Sequence, residues 1–353
     1  MTHPITRRDW IAGAAAGLTL PAWAAEPDRT ARPARPQPGR TLRIYGITFR
    51  GMTEVERGFE EYFASRKIPA QIVWRDLNRD NARMQGFLDE IRGTKPDLVY
   101  TWGTSVTLGV VGPYDAPNKS SFINDIPVVF TLVAAPVLAK IVPDLKSSGR
   151  NVTGVTHVAP TEAQVRAMSQ YRPLQTLGVI YTTTEKNSVV VIEELRSLAR
   201  ERNFKLIERP FKLDAARKPT AEGAADLVRE LKAAGAQWLY LPPDSFLGTL
   251  AEGVIIPAAM EHSLPTFAST EQLMQAGALT GLVSRYYNLG QFTAHKVEQI
   301  LVARQAPSAV PVETLKRFSY QISMAAAHKL KMPPPMGMLN YAELINAGAP
   351  SGT

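Results

Sequence analysis

The chain has 353 residues, no cysteine and a formal charge of +8. The missing thiol excludes disulfides, thiolate metal sites, iron–sulfur clusters and lipid attachment to a cysteine, so burial of apolar surface must hold the fold, and a chain this long does so by dividing into two domains. The basic excess is moderate and is not gathered with aromatics into one patch, which argues against a nucleic-acid partner.

At the start, Arg7 and Arg8 precede an apolar stretch, Ile11 to Leu20, and a small-residue cleavage site, Ala22-Trp23-Ala24. This is the layout of a cleaved twin-arginine signal over 1–25. The apolar stretch is half of the roughly 20 residues needed to span a bilayer, so it does not read as an anchor. Residues 26–40, rich in proline and charge, read as a flexible tether. These features predict export by the twin-arginine machinery to the periplasm, as a protein without a lipid anchor.

From Leu42 onward short apolar runs alternate with segments of helical period, the pattern of parallel sheets covered by helices. The first series has strands at 42–48, 71–75, 98–102 and 127–133. A helix opens at Thr53 with the capping box Thr53-Glu-Val-Glu56 and buries Val55, Phe59 and Phe63. A second helical stretch lies near 81–91. The next series has strands at 177–181, 205–210, 238–241 and 266–268, with helices at about 188–202, 221–234 and 250–261. Extended segments at 151–156, 282–285 and 313–323, the last two flanking a helix at 289–302, read as three crossings between two doubly wound α/β lobes. We expect lobe I to comprise 41–153 plus 284–310, and lobe II 154–283 plus 311–348. Ligands of such sheets bind beyond the carboxyl ends of the strands, here in the cleft where the lobes face each other.

Several patches, in order, resemble the substrate-binding proteins of ABC transporters with the type I periplasmic-binding fold, in the branch that includes tryptophan- and tyrosine-binding lipoproteins. Gly178-Val-Ile-Tyr181-Thr-Thr-Thr-Glu185-Lys-Asn187-Ser188 is similar to that family's Gly-Val-x-Tyr-Asn-x-x-Glu-x-Asn-Ser, with Thr182 in place of asparagine. Ile126 to Thr131, Asn151 to Val155, Leu241 to Ser245, Leu264 to Ser269, Tyr286 to Gly290 and the pair Gly103-Thr104 add to the likeness. There are two departures. Thr131-Leu-Val-Ala-Ala135-Pro136 lacks the acid of the family's usual Asp-Pro, and Phe49-Arg50-Gly51-Met52 replaces its histidine-proline turn. The resemblance implies hinge closure around a small molecule, an amino acid or related small carboxylate, and delivery to an ABC permease in the inner membrane. A membrane sensor is the alternative receiver. The protein is expected to be a monomer without cofactor.

The candidate ligand residues follow from position. Asn187 and Ser188 enter a helix, where free amides attract a carboxylate or the side chains merely cap. Gly103, Thr104 and Ser105 offer the same chemistry from lobe I. Asp244, after a double proline at a strand end, is expected to meet a ligand ammonium or other donor group, with a surface-turn aspartate as the alternative. Thr131 and Ser269 could add hydroxyls at strand ends, and Glu271 is either a ligand contact or a first-turn helix charge. Tyr45, Phe49, Trp102 and Tyr181 are either aromatic walls or core, and Tyr286 stands at a crossing. An exported enzyme is the rival reading. The chain offers it no His-Glu-x-x-His, phosphate loop, Gly-x-Ser-x-Gly elbow or Rossmann fingerprint, and its five histidines are scattered singly.

Overall fold

The structure, a computed structural model, describes residues 40–346. The expected signal over 1–25, nearly all of the tether and the last two residues of lobe II lie outside the described residues.

In chain order the elements are β1 (Leu42–Thr48), α1 (Glu54–Ser65), β2 (Ala70–Asp76), α2 (Met84–Thr94), β3 (Leu98–Trp102), α3 (Gly103–Val111), β4 (Val128–Thr131), β5 (Val152–Thr156), α4 (Thr161–Tyr171), β6 (Thr176–Tyr181), α5 (Lys186–Arg202), β7 (Lys205–Pro210), α6 (Ala224–Ala233), β8 (Trp238–Leu241) and α7 (Ser245–Leu250). Then follow α8 (Ile256–Glu261), β9 (Thr266–Ala268), α9 (Glu271–Gln275), β10 (Thr280–Val283), α10 (Tyr286–Leu301), β11 (Glu313–Thr314), β12 (Ser319–Ser323), α11 (Met324–Leu330) and β13 (Glu343–Ile345). They form two sheets, ordered β11-β5-β4-β3-β1-β2 and β13-β12-β10-β9-β8-β6-β7. Every strand pair is parallel except β10 with β12.

Central strands such as Leu-Val-Tyr-Thr-Trp (β3) and Trp-Leu-Tyr-Leu (β8) are buried at every residue, because helices cover both faces of a parallel sheet. Side-chain alternation splits the first lobe's core in two. Tyr45 and Ile47 pack with Leu88, Ile91 and Val106 on one face. Ile44 packs with Val55, Phe59, Leu289 and Val297 on the other. The second lobe has one continuous core around Trp238, Tyr240 and Phe267.

The capping box at Thr53 forms as the sequence predicts: the Val55 amide donates to Thr53 Oγ1 at 3.2 Å, and the Thr53 amide to Glu56 Oε2 at 2.8 Å. Elsewhere the boundaries move for local reasons. The strand expected over 127–133 stops at Thr131, since Leu132 takes a left-handed φ of 55°. The helix expected at 250–261 begins at Ser245 and carries a π-helical turn over Ala251–Ile255. Pro257 has no amide to donate and its ring crowds the carbonyl four residues back, so the ladder widens there.

The chain passes between the sheets at 157–160, 284–285 and 315–318. Strands β5 and β11 both belong to the first sheet, so the changes of sheet fall after Thr156 and Thr314, a few residues beyond the expected limits at 153 and 310. An antiparallel bridge pairs Val158, in the first crossing, with Val283, the last residue of β10 before the second.

Candidate functional site

The carboxyl ends of β1, β3 and β4 in the first lobe face those of β6, β8 and β9 in the second across a cleft with about 550 Å³ of empty space, part of it open to solvent. Lobe I supplies Phe49, Arg50, Trp102, Gly103, Thr104, Leu132 and Ala134. His157 and Tyr286 come from the crossings, and lobe II supplies Asn187, Pro243, Asp244, Ser245, Gly248, Thr270, Gln272 and Leu273.

On the first lobe, Gly103 turns the chain from β3 straight into α3 with φ of 80°, and no atom lies within 4 Å of where its Cβ would be. Only glycine adopts that conformation without strain. The first turn of α3 has no side-chain cap, and neither has that of α5, so amides and the positive end of each helix dipole remain available at these two termini. The Arg50 guanidinium lies 4.8 Å over the Trp102 ring and donates to Gln272 Oε1 of the second lobe. Burial lowers its pKa, opposed by the nearby Tyr286 hydroxyl. Phe49 stacks on Trp102 with centroids 6.4 Å apart.

On the second lobe, Asp244 organises the wall. Its carboxylate accepts from the Thr182 amide (2.7 Å), Thr182 Oγ1 (3.1 Å), Ser188 Oγ (2.7 Å) and the Leu247 amide (2.8 Å). One buried carboxylate thus caps α7 and joins it to the end of β6 and the start of α5. Glu185 accepts from the Ser245 and Phe246 amides at 2.9 and 3.1 Å, and burial together with the Asp244 charge pushes its pKa up to about 6. The amino end of α7 is therefore closed by internal carboxylates. Asn187 Nδ2 donates to the Pro243 carbonyl.

Of the residues singled out from the sequence, Phe49, Trp102, Gly103, Thr104, Asn187, Asp244 and Tyr286 meet at this cleft. The others do not line it. Tyr45 donates to Glu90 of α2 at 2.7 Å and Tyr181 to Glu208 of β7 at 3.1 Å. Ser188 is consumed by Asp244, and Thr131 and Ser269 are fully buried. Ser105 points to solvent. Glu271 accepts the Tyr286 amide and pairs with Arg285 Nε at 2.8 Å, fixing the start of α10. Asp244 lines the cleft with both oxygens already holding donors from its own lobe, four in all.

Arg50, His157 and Gln272 are cleft residues that the sequence reading missed. Arg50 follows β1 directly, in the place that open α/β sheets reserve for ligands, and His157 is the first residue after β5. Trp102 and His157 are 8% and 7% exposed, yet Trp102 Nε1 and His157 Nδ1 have no hydrogen-bond partner.

Burial, helped by the Arg50 charge, pushes the His157 pKa from 6.5 down to about 3. Below pH 6.5 the unfolded chain binds a proton there that the native state refuses. This contribution to stability is complete above pH 6.5 and is lost as pH falls toward 3, by up to about 1.4 kcal/mol per pH unit. Glu185, with its raised pKa, has the opposite sign: the native state protonates first, so its contribution is fully present below its ordinary value of 4.5 and is lost as pH rises through about 6. The variant His157→Gln should flatten the acid limb of urea-unfolding free energy against pH; an unchanged slope would contradict a neutral, buried His157.

The chain belongs to the ABC transporter substrate binding protein family, whose model matches residues 51–345. It is 24% identical over 246 residues to a tyrosine-binding protein of Clostridioides difficile (strain R20291), a match covering 69% of this chain and 66% of that protein, just under two thirds of its length. Among solved structures it resembles a conserved domain protein from Vibrio cholerae, with a TM-score of 0.74, 23% identity and coverage of 86% of this chain and 99% of the other. The ABC domain from Streptococcus pneumonia in complex with L-Trp gives a TM-score of 0.74 at 20% identity, with the same coverage. The fold is that of the type I periplasmic-binding proteins. Among the described residues no helix is long and apolar enough to cross a membrane.

Proposed function

We propose that the protein is the capture component of an ABC importer, working in the periplasm as a monomer without catalysis, and that the interlobe cleft holds a small carboxylate for delivery to the permease. One observation carries the reading: two helix termini without side-chain caps and a guanidinium lie between two lobes at the carboxyl ends of their strands. Gly103, Thr104 and Asn187 are the proposed contacts from α3 and α5, with Phe49 against the ligand body. The relatives named for tyrosine and L-Trp support a ligand of amino-acid size.

The test is a thermal-shift screen of the mature protein with amino acids and small carboxylates, since a ligand that binds only the native state stabilises it by about 2.7 kcal/mol at a hundred times its Kd. A flat response across the panel would defeat the reading. Export by the pair Arg7 and Arg8 is tested by cell fractionation: replacing both with lysine should leave the protein in the cytoplasm, and unchanged periplasmic recovery would remove the twin-arginine route.

A further inference from the structure

We propose that the ligand is an organic anion without an ammonium group, and that Arg50 is its counter-ion. This deepens the reading of the cleft as the ligand site and rests on it.

Arg50 and Asp244 are the charged side chains among the residues lining the cleft, His157 being neutral. They are not equivalent. Both oxygens of Asp244 are occupied, each by two donors, which uses the lone pairs a carboxylate offers. The neighbouring Glu185 spends its oxygens on the amides of α7. An incoming ammonium would find no carboxylate free to receive it, and it would share the cleft with a guanidinium.

Arg50 is in the reverse condition. Among the described residues no carboxylate lies within ion-pair distance of it, although the Glu56 charge is felt there, and its partners are the neutral Gln272 across the cleft and the Tyr286 hydroxyl. Gln272 is held by its own Nε2, which donates to the Gly248 carbonyl at 3.1 Å. A carboxylate oxygen bound to Arg50 would take over the acceptor role of its Oε1. Replacing a neutral acceptor by a charged one roughly doubles the strength of such a bond, so the ligand is favoured in displacing Gln272. Trp102, whose ring lies beneath Arg50 and whose side chain is more than nine-tenths buried, has an Nε1 with no partner among the described residues. The ligand body then meets Phe49, Leu132, Pro243 and Leu273, which are apolar.

Calorimetric titration with matched pairs tests this: phenylpyruvate against phenylalanine, and 4-methyl-2-oxopentanoate against leucine. The oxo acids should bind at least about tenfold tighter than the amino acids, because burying an ammonium without a partner costs at least that much affinity. Arg50→Gln should remove that preference and Arg50→Lys should keep part of it, both variants melting within a few degrees of the parent. Equal or tighter binding of the amino acids, or an Arg50→Gln variant that binds the oxo acids unchanged, would overturn the inference and leave cleft binding in place. Binding of neither class would overturn both.

Discussion

Gly290→Ala should cost about 3 kcal/mol or more in urea unfolding, at a helix-interior position where exchanging glycine for alanine ordinarily stabilises by up to about 1 kcal/mol. Helices α1 and α10 touch through their backbones. A Cβ on Gly290 would lie 1.9 Å from the Val55 carbonyl oxygen and 2.8 Å from the Phe59 amide, and one on Gly58 would lie 2.1 Å from the Tyr287 carbonyl oxygen. No side chain can turn aside to admit the methyl. The helices must part, and the core of Phe59, Leu289 and Val297 between them loosens. Gly86→Ala in α2, where nothing lies within 4 Å of the new atom, is the control and should be neutral or slightly stabilising. Similar losses at both positions would show that close approach is not what Gly290 provides. The damage reaches the cleft as well, because α10 begins at Tyr286 on its wall.

Asp244→Ala should lower the stability of the empty protein by about 3–5 kcal/mol, the usual cost of leaving a buried charged network without its centre. The Thr182 amide, the Ser188 hydroxyl and the Leu247 amide would all be buried without an acceptor. Asp244→Asn should lose less, since one amide oxygen can still accept. It should also let the Glu185 pKa fall below about 6, because the Asp244 charge is one cause of its rise. Calorimetric melting measures the stability and a carboxylate-resolved NMR titration the pKa. An Asp244→Ala protein as stable as the parent would show that the four bonds do not hold the wall. The sequence alone points the other way, to a residue whose partner is the ligand.

That reversal marks the limit of what the chain discloses. The strands β3 and β8 are readable as unbroken apolar runs, and the Thr53 capping box as a three-residue spacing, because each is decided by neighbours along the chain. Position after a strand singled out Gly103 and Asp244, and position at a helix start Asn187, all three of which line the cleft. What Asp244 does there depends on Thr182 and Ser188, 62 and 56 residues earlier, and the partner of Arg50 lies 222 residues away. Spacing carries no trace of such pairings. Tyr45 and Tyr181 misled for a related reason: the end of a strand says that a side chain is near the cleft, whereas the pleat decides which face it takes.

The bridge between Val158 and Val283 holds the first crossing against the end of β10, next to the second crossing, where a pivot for the two lobes would lie. Any rotation about it displaces an atom in proportion to its lever arm. His157, one residue from the pivot, is nearly stationary, while the side chains at the mouth travel farthest. A spectroscopic label at His157 would therefore report the occupant of the cleft and be blind to the angle between the lobes.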